Sequence, residues 1–239
     1  MISDTTVQEK NITFPTDSKL LCRSIEHIVN LGLSSGLKFR QTYKRKAPRL
    51  KLKASRYAHA RKPGLAKKCT KQLRTLLGRV IREVERQIDC PNALSPMVFK
   101  KLKSKVSLAR RVWEQNRESK DKVYSMHEPE VSCIAKGKAH KKYEFGSKVG
   151  IVSTIRNSFI VAIESFKGNP YDGKTLSSLF NTAEQNTRSK IKTAVLDKGY
   201  RGSKAEFPEI KIMISGVEIW VKLQKRGKSE LEPHFLLNS

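Results

Sequence analysis

A carboxylate at the carboxyl end of an apolar strand stands where α/β sheets place their sites. Residues 193–202 read TAVLDKGYRG. The apolar run Ala194, Val195 and Leu196 ends on Asp197, and the chain then breaks into a turn, Lys198-Gly199-Tyr200-Arg201-Gly202. Lys198 and Arg201 stand where an anionic substrate would meet them. The plainer reading makes Asp197 a cap of the next segment or the ion-pair partner of Lys198. A second acid, Asp4, repeats the setting in ISDTTVQ. Two aspartates far apart in sequence but at the ends of adjacent strands make a hard oxygen site suited to Mg²⁺. Two such ions about 4 Å apart activate water and stabilise the leaving oxygen in phosphodiester cleavage. From these residues alone, both readings of Asp197 stay open.

The charge balance narrows the substrate. The 239 residues hold 49 Lys and Arg against 22 Asp and Glu, a net charge of +27. Such an excess repels itself in a compact state and calls for an acidic partner. Nucleic acid is the commonest such partner. A membrane surface would ask for a strongly apolar helix face or a lipidation signal, and the sequence shows neither. The four cysteines, Cys22, Cys69, Cys90 and Cys133, contain no CxxC pair, which argues against a zinc module and for reduced thiols. No apolar leader and no run of about 18 apolar residues is present, so a soluble, intracellular protein is expected.

The elements that must position the two acids follow from hydrophobic periodicity. Residues 1–17 read as a short strand stopped by Pro15. Leu20, Leu21, Ile25, Ile28 and Val29 fall at helical spacing, with Thr16 or Asp17 to cap them. A basic connector, 37–64, interleaves Phe39, Tyr43 and Tyr57 with cations. It reads as a nucleic-acid contact surface or as a solvated basic helix face. A long amphipathic helix is expected over 65–89, broken at Cys90-Pro91-Asn92. A second starts at Ser95-Pro96, and the two form a hairpin. Residues 122–133 read as a short strand and a turn around Pro129. FGSKVGIVST and SFIVAIESF form a β-hairpin. GNPYDGKTL starts a helix that runs to about Ser189, IKTAVL is the strand that ends at Asp197, and EIKIMIS and VEIWVKLQ are two further β runs. This order predicts an α/β domain made of residues 1–17 and 122–239, interrupted by a basic helical insertion over 18–121.

Several of these stretches resemble a known family. DTTVQEKNITFPTDSKLL, VYSMHEPEVSCIAKGKAHKKYEFGSKVGI, GNPYDGKTL and AVLDKGYRG, in that order, are similar to the catalytic region of bacterial insertion-sequence transposases with a DDE triad. The resemblance implies a ribonuclease-H-like mixed sheet with the first acid, Asp4, on strand one and the second, Asp197, on the fourth strand. It implies two Mg²⁺ or Mn²⁺ ions and, as partners, double-stranded DNA at transposon ends and target, with copies assembled on paired ends in the bacterial cytoplasm and nucleoid. The third acid usually closes Arg-Ser-Ala-Ile-Glu-Pro. Here Lys228-Ser229-Glu230-Leu231-Glu232-Pro233 puts it at Glu232, with Glu230 as its rival. Expected DNA contacts are Lys138, His140, Lys141, Lys198, Tyr200 and Arg201, with Arg45 and Arg49 in the basic insertion. His127 is a candidate ligand or the partner of a surface acid, and Asp172 a turn residue or helix N-cap. After Pro233 the resemblance stops, and a family Lys would fall at Ser239. The helical region usually found before the first acid is also absent. A truncated copy of an insertion-element gene is therefore expected, with a non-catalytic DNA-binding remnant as the alternative and a basic RNA-binding protein as a weaker one.

Overall fold

A computed structural model describes residues 1–88, 95–135, 142–200, 202 and 206–214. Among them the elements run β1 (Ile2–Glu9), α1 (Asp17–Ser34), α2 (Lys46–His59), α3 (Pro63–Ile88), α4 (Pro96–Glu114), β2 (Ser132–Ala135), β3 (Tyr143–Ser153), β4 (Ile160–Phe166), α5 (Leu176–Thr187), β5 (Thr193–Leu196) and β6 (Lys211–Ile214). The class is mixed α/β. The six strands form one sheet in the order β2-β3-β1-β5-β6, with β4 also paired to β3. No helix among the described residues is long and apolar enough to cross a membrane.

The chain divides into two compact units, Met1–Glu9 with the chain from Gly146 onward, and Lys10–Phe145. The boundaries fall at 9/10 and 145/146, so residues 10–17 and 122–145 belong with the helices. Packing gives the reason. Val123 and Met126 are buried in the helical core. Gln115 clamps Val123, its side-chain amide donating to the carbonyl at 3.2 Å and its oxygen accepting the amide at 2.9 Å. Phe14 and Tyr124 both stack against Phe145, with ring centroids 5.5 and 5.4 Å away.

In the first unit, β1 lies antiparallel to β3 from Ile2↔Ser153 to Glu9↔Gly146. The β3–β4 hairpin forms as the sequence predicts. On the other edge of β1, β5 runs parallel to it, and β6 runs parallel to β5. Alternation along β3 sends Lys148, Gly150 and Val152 inward. There Val152, Ala162, Leu196 and Ile212 meet Leu176, Leu179, Phe180 and Ala183 of α5.

The second unit is built on α3, whose buried stripe Leu73, Leu77, Val80, Ile81 and Val84 lies in one core with α1, α2 and α4. Helix α2 sits inside the stretch read as a connector. Ala47, Leu50 and Ala54 are its only buried residues, a thin apolar seam between cations. Pro48 lies in its first turn, where a helix needs no amide donor. Residues 123–131 are not a strand. Val123 and Met126 anchor that segment in the helical core, and the strand starts at Ser132.

His27 on α1 carries a pH dependence into this unit. Burial holds its imidazole below the ordinary value, with Lys105, Arg23 and His127 acting in the same direction and Glu26 opposing them. The folded protein therefore binds this proton less readily than the unfolded chain, so the contribution is complete above the ordinary value of about 6.5 and shrinks below it. Melting temperature is expected to fall from pH 7.5 to 5.5, and His27→Gln to flatten that fall. Equal slopes in the two proteins would contradict the assignment.

Candidate active site

The parallel pairing of β1 and β5 sets the site. Ile2 pairs with Val195 and Ser3 with Leu196, so the next residue on each strand is an aspartate, Asp4 and Asp197. The Val195 amide donates to the Met1 carbonyl at 2.8 Å and holds the register. Both aspartates are exposed. Each carboxylate Oδ1 accepts the amide of the following residue, Thr5 N at 2.7 Å and Lys198 N at 2.6 Å. The Asp197 carbonyl also accepts the Tyr200 amide at 3.1 Å and closes a 3-10 turn, Lys198–Tyr200. Lys198 stands exposed beside the pair.

The opposite face of β1 carries a polar cluster. Ser3 is buried and Thr5 half-buried, on the side away from Asp4. Tyr200 belongs to this cluster, which corrects its expected role as a DNA contact: the ring is 1% exposed and packs in the core under the sheet. Its hydroxyl faces those of Ser3, Thr5 and Thr175 without reaching hydrogen-bond geometry to any described group, and burial pushes the phenol pKa up. An aromatic next to a cation in a turn reads as surface, but here it is the wedge that fixes the turn after Asp197.

Asp172 completes the cluster. Its backbone carbonyl accepts the Thr175 hydroxyl at 2.7 Å in a 3-10 turn, Asp172–Thr175. Its side chain caps no helix. It accepts the Thr5 hydroxyl at 2.8 Å and pairs with the Lys148 ammonium. Lys148 is 8% exposed and also donates to the Pro170 carbonyl at 2.6 Å. A Cβ on Gly199 would stand 2.5 Å from Asp172 Oδ2, so a larger residue at that turn position would have to displace the Asp172 carboxylate. Lys148 escaped the sequence reading, although its phase gave a signal. It shares the inward parity of Gly150 and Val152, and a lysine there must find an acid.

The other sequence-predicted residues scatter. Arg45 and Arg49 are exposed at the start of α2. His127 is exposed, with Nε2 3.9 Å from Glu128 Oε1. Among the described residues no three His, Cys, Asp or Glu side chains are grouped to hold a metal. Glu230, Glu232, Lys138, His140, Lys141 and Arg201 lie outside the described residues, as does the run VEIWVKLQ.

No family model and no solved structure matches the chain. It is 47% identical over 58 residues to the uncharacterized protein ORF8 in the nfe locus of Rhizobium meliloti. That stretch is 24% of this chain and 28% of the relative, so the chain spans well under two thirds of it.

Lys148 is buried and Asp172 half-buried, so removing one partner strands the other charge at a cost on the order of 2 kcal/mol, below that of a fully buried pair. Asp172→Asn is expected to lower unfolding free energy by about that much. The double variant Asp172→Asn, Lys148→Met should lose clearly less than the two single losses added. Simple additivity in a denaturant-unfolding cycle would contradict the coupling.

Proposed function

We propose that this chain is the catalytic region of a DDE transposase of an insertion element, cleaving DNA phosphodiesters and joining the freed 3′ end to a target. The observation that carries the reading is the β1–β5 register, which sets Asp4, inside β1, beside Asp197, the residue just past the end of β5. The sheet supports it. The run β4-β3-β1-β5-β6, antiparallel across the hairpin and parallel from β1 to β6, has the order and directions of a ribonuclease-H-like core. Read as such a core, the sheet would carry Asp4 on its first strand and Asp197 directly after its fourth. The reading is taken from the sequence resemblance together with this geometry.

The donor set fits the cofactor the reading requires. Two exposed carboxylates on neighbouring strands are hard oxygen ligands of the kind Mg²⁺ and Mn²⁺ prefer. Asp4 and Asp197 would hold the ions, with Glu232 as third acid and Glu230 as its rival. Bound divalent ions would supply an activated water or DNA 3′-hydroxyl and charge stabilisation at the leaving oxygen. The chain's own contribution is positioning. The amides of Thr5 and Lys198 orient the two carboxylates. Tyr200 and Asp172 fix the turn behind them from below the sheet. Lys198 faces solvent beside Asp197, placed to take a DNA phosphate, and no covalent protein intermediate is required.

A second reading, a DNA-binding protein without catalysis, is favoured by a separate observation. Between Glu26 and Glu83 the chain holds seventeen Lys and Arg and no acid. None of these cations is ion-paired among the described residues.

The two readings part on labelled transposon-end DNA with Mg²⁺ or Mn²⁺. The transposase reading expects nicking by the parent protein. Asp4→Asn and Asp197→Asn should nick below detection while binding DNA as tightly. Glu232→Gln should behave as they do and Glu230→Gln should not. Equal nicking by parent and Asp197→Asn would overturn the catalytic assignment. Binding without nicking in every protein would favour the second reading.

A further inference from the structure

We propose that the corner between α2 and α3 is a binding site for the phosphate backbone of duplex DNA, with Arg61, Lys67, Lys71 and Arg74 as its contacts; this rests on the transposase reading for its partner. The corner opens with a strained residue. Helix α2 ends in the double closure that normally has glycine at its left-handed position: the Lys62 amide reaches the Tyr57 carbonyl at 2.9 Å, and the Arg61 amide reaches Ala58 at 3.1 Å. The residue at that position is Arg61, with φ +54°. A side chain there costs free energy that glycine would not. Tyr43, Ser158 and Arg188 share this conformation, so the strain makes Arg61 a sensitive probe and the case for its use rests on what surrounds it.

The use is written in the surroundings. Arg61 lines an open groove of about 780 Å³ together with Lys67, Lys71 and Arg74. The last three are spaced i, i+4 and i+7, so they form one row along α3, with a rise of about 10 Å from first to last. Ala58 and Ala66 supply an apolar floor, and Asp17 is the single acid in the lining. Arg74 Nη2 donates to the Gln115 carbonyl at 3.0 Å, which steadies that guanidinium. None of the four cations meets a carboxylate among the described residues. Four converging positive charges in a chain of +27 repel one another until a polyanion neutralises them. A row of cations suits a string of phosphates better than one small anion. Arg45 and Arg49 lie at the start of α2 and Arg61 just past its end, so within the basic stretch 37–64 this corner is distinct from those two arginines.

Arg61 makes the test selective. Glycine should relieve strain and remove a phosphate contact together, so Arg61→Gly is expected to raise the melting temperature and weaken duplex binding. The log–log dependence of affinity on salt should become shallower by about one ion. Lys67→Gln, Lys71→Gln together should flatten it by about two. The control is Arg188→Gly. Arg188 caps α5 in the same left-handed conformation, with φ 50°, and its replacement should raise the melting temperature while leaving the salt slope unchanged. Fluorescence anisotropy of a labelled duplex on the full chain, over a salt series, measures all four proteins. Parental slopes in Arg61→Gly and the double variant would overturn the site while leaving DNA binding standing. A loss in Arg188→Gly equal to that in Arg61→Gly would overturn it in favour of diffuse attraction. No duplex binding by the parent at low salt would overturn both the site and its DNA partner.

Discussion

Two backbone pairings, Ile2 with Val195 and Ser3 with Leu196, hold β1 and β5 side by side. The candidate chemistry depends on this register. Side chains alternate along a strand, so a slip of one residue would turn Asp4 under the sheet and bring Ser3 to the open face. The slip is opposed from below. Thr5 is tied to Asp172, Asp172 to Lys148, and Tyr200 fills the space behind β1. A buried ion pair is not a general source of stability, but it penalises any arrangement that leaves one partner alone. Here that penalty falls on the arrangements that would separate the two carboxylates. Gly199 extends the same constraint to the turn after Asp197, since its backbone passes against the Asp172 carboxylate. Asp172, Gly199 and Tyr200 thus meet on one side of the sheet to fix a pair of acids on the other.

The helical unit answers a different physical demand. Its core is an ordinary apolar one, with Leu73, Leu77 and Val80 of α3 wholly buried beside Ile28 and Val29 of α1. Its surface is not ordinary. A folded domain usually intersperses charges of both signs, and long acid-free stretches raise the free energy of the compact state. The acid-free run from α1 to the last turns of α3 makes sense as a surface completed by a polyanion. Carboxylates resume beyond it, where Glu85 grips Arg110 of α4 with contacts of 2.6 and 2.7 Å.

Much of this was legible in the sequence because it rests on local pattern. Asp197 closes an apolar run, and that run is a buried strand. The hairpin alternates with period two, and α1, α3 and α4 show broad apolar stripes. What escaped the reading depends on contacts distant in sequence. Helix α2 buries only Ala47, Leu50 and Ala54, too thin a seam to stand out among its cations. Tyr200 reads as a surface aromatic until β1 is laid over it. Lys148 looks like one more surface cation until its parity in β3 is matched with Asp172. The unit boundaries moved for the same reason: Val123 and Met126 carry no sign of which core they enter. The side-by-side placement of Asp4 and Asp197 needed the parallel register, which no local pattern contains.

We propose that Asp4 and Asp197 together hold a divalent metal ion. Fe²⁺ can replace Mg²⁺ or Mn²⁺ at such oxygen sites and, with ascorbate and peroxide, cuts the nearby polypeptide. Mass spectrometry of the full chain maps those cuts. A shared ion gives paired cleavage around residues 3–5 and 196–199, suppressed by excess Mg²⁺. Cleavage confined to other segments, or no cleavage at either, would contradict it.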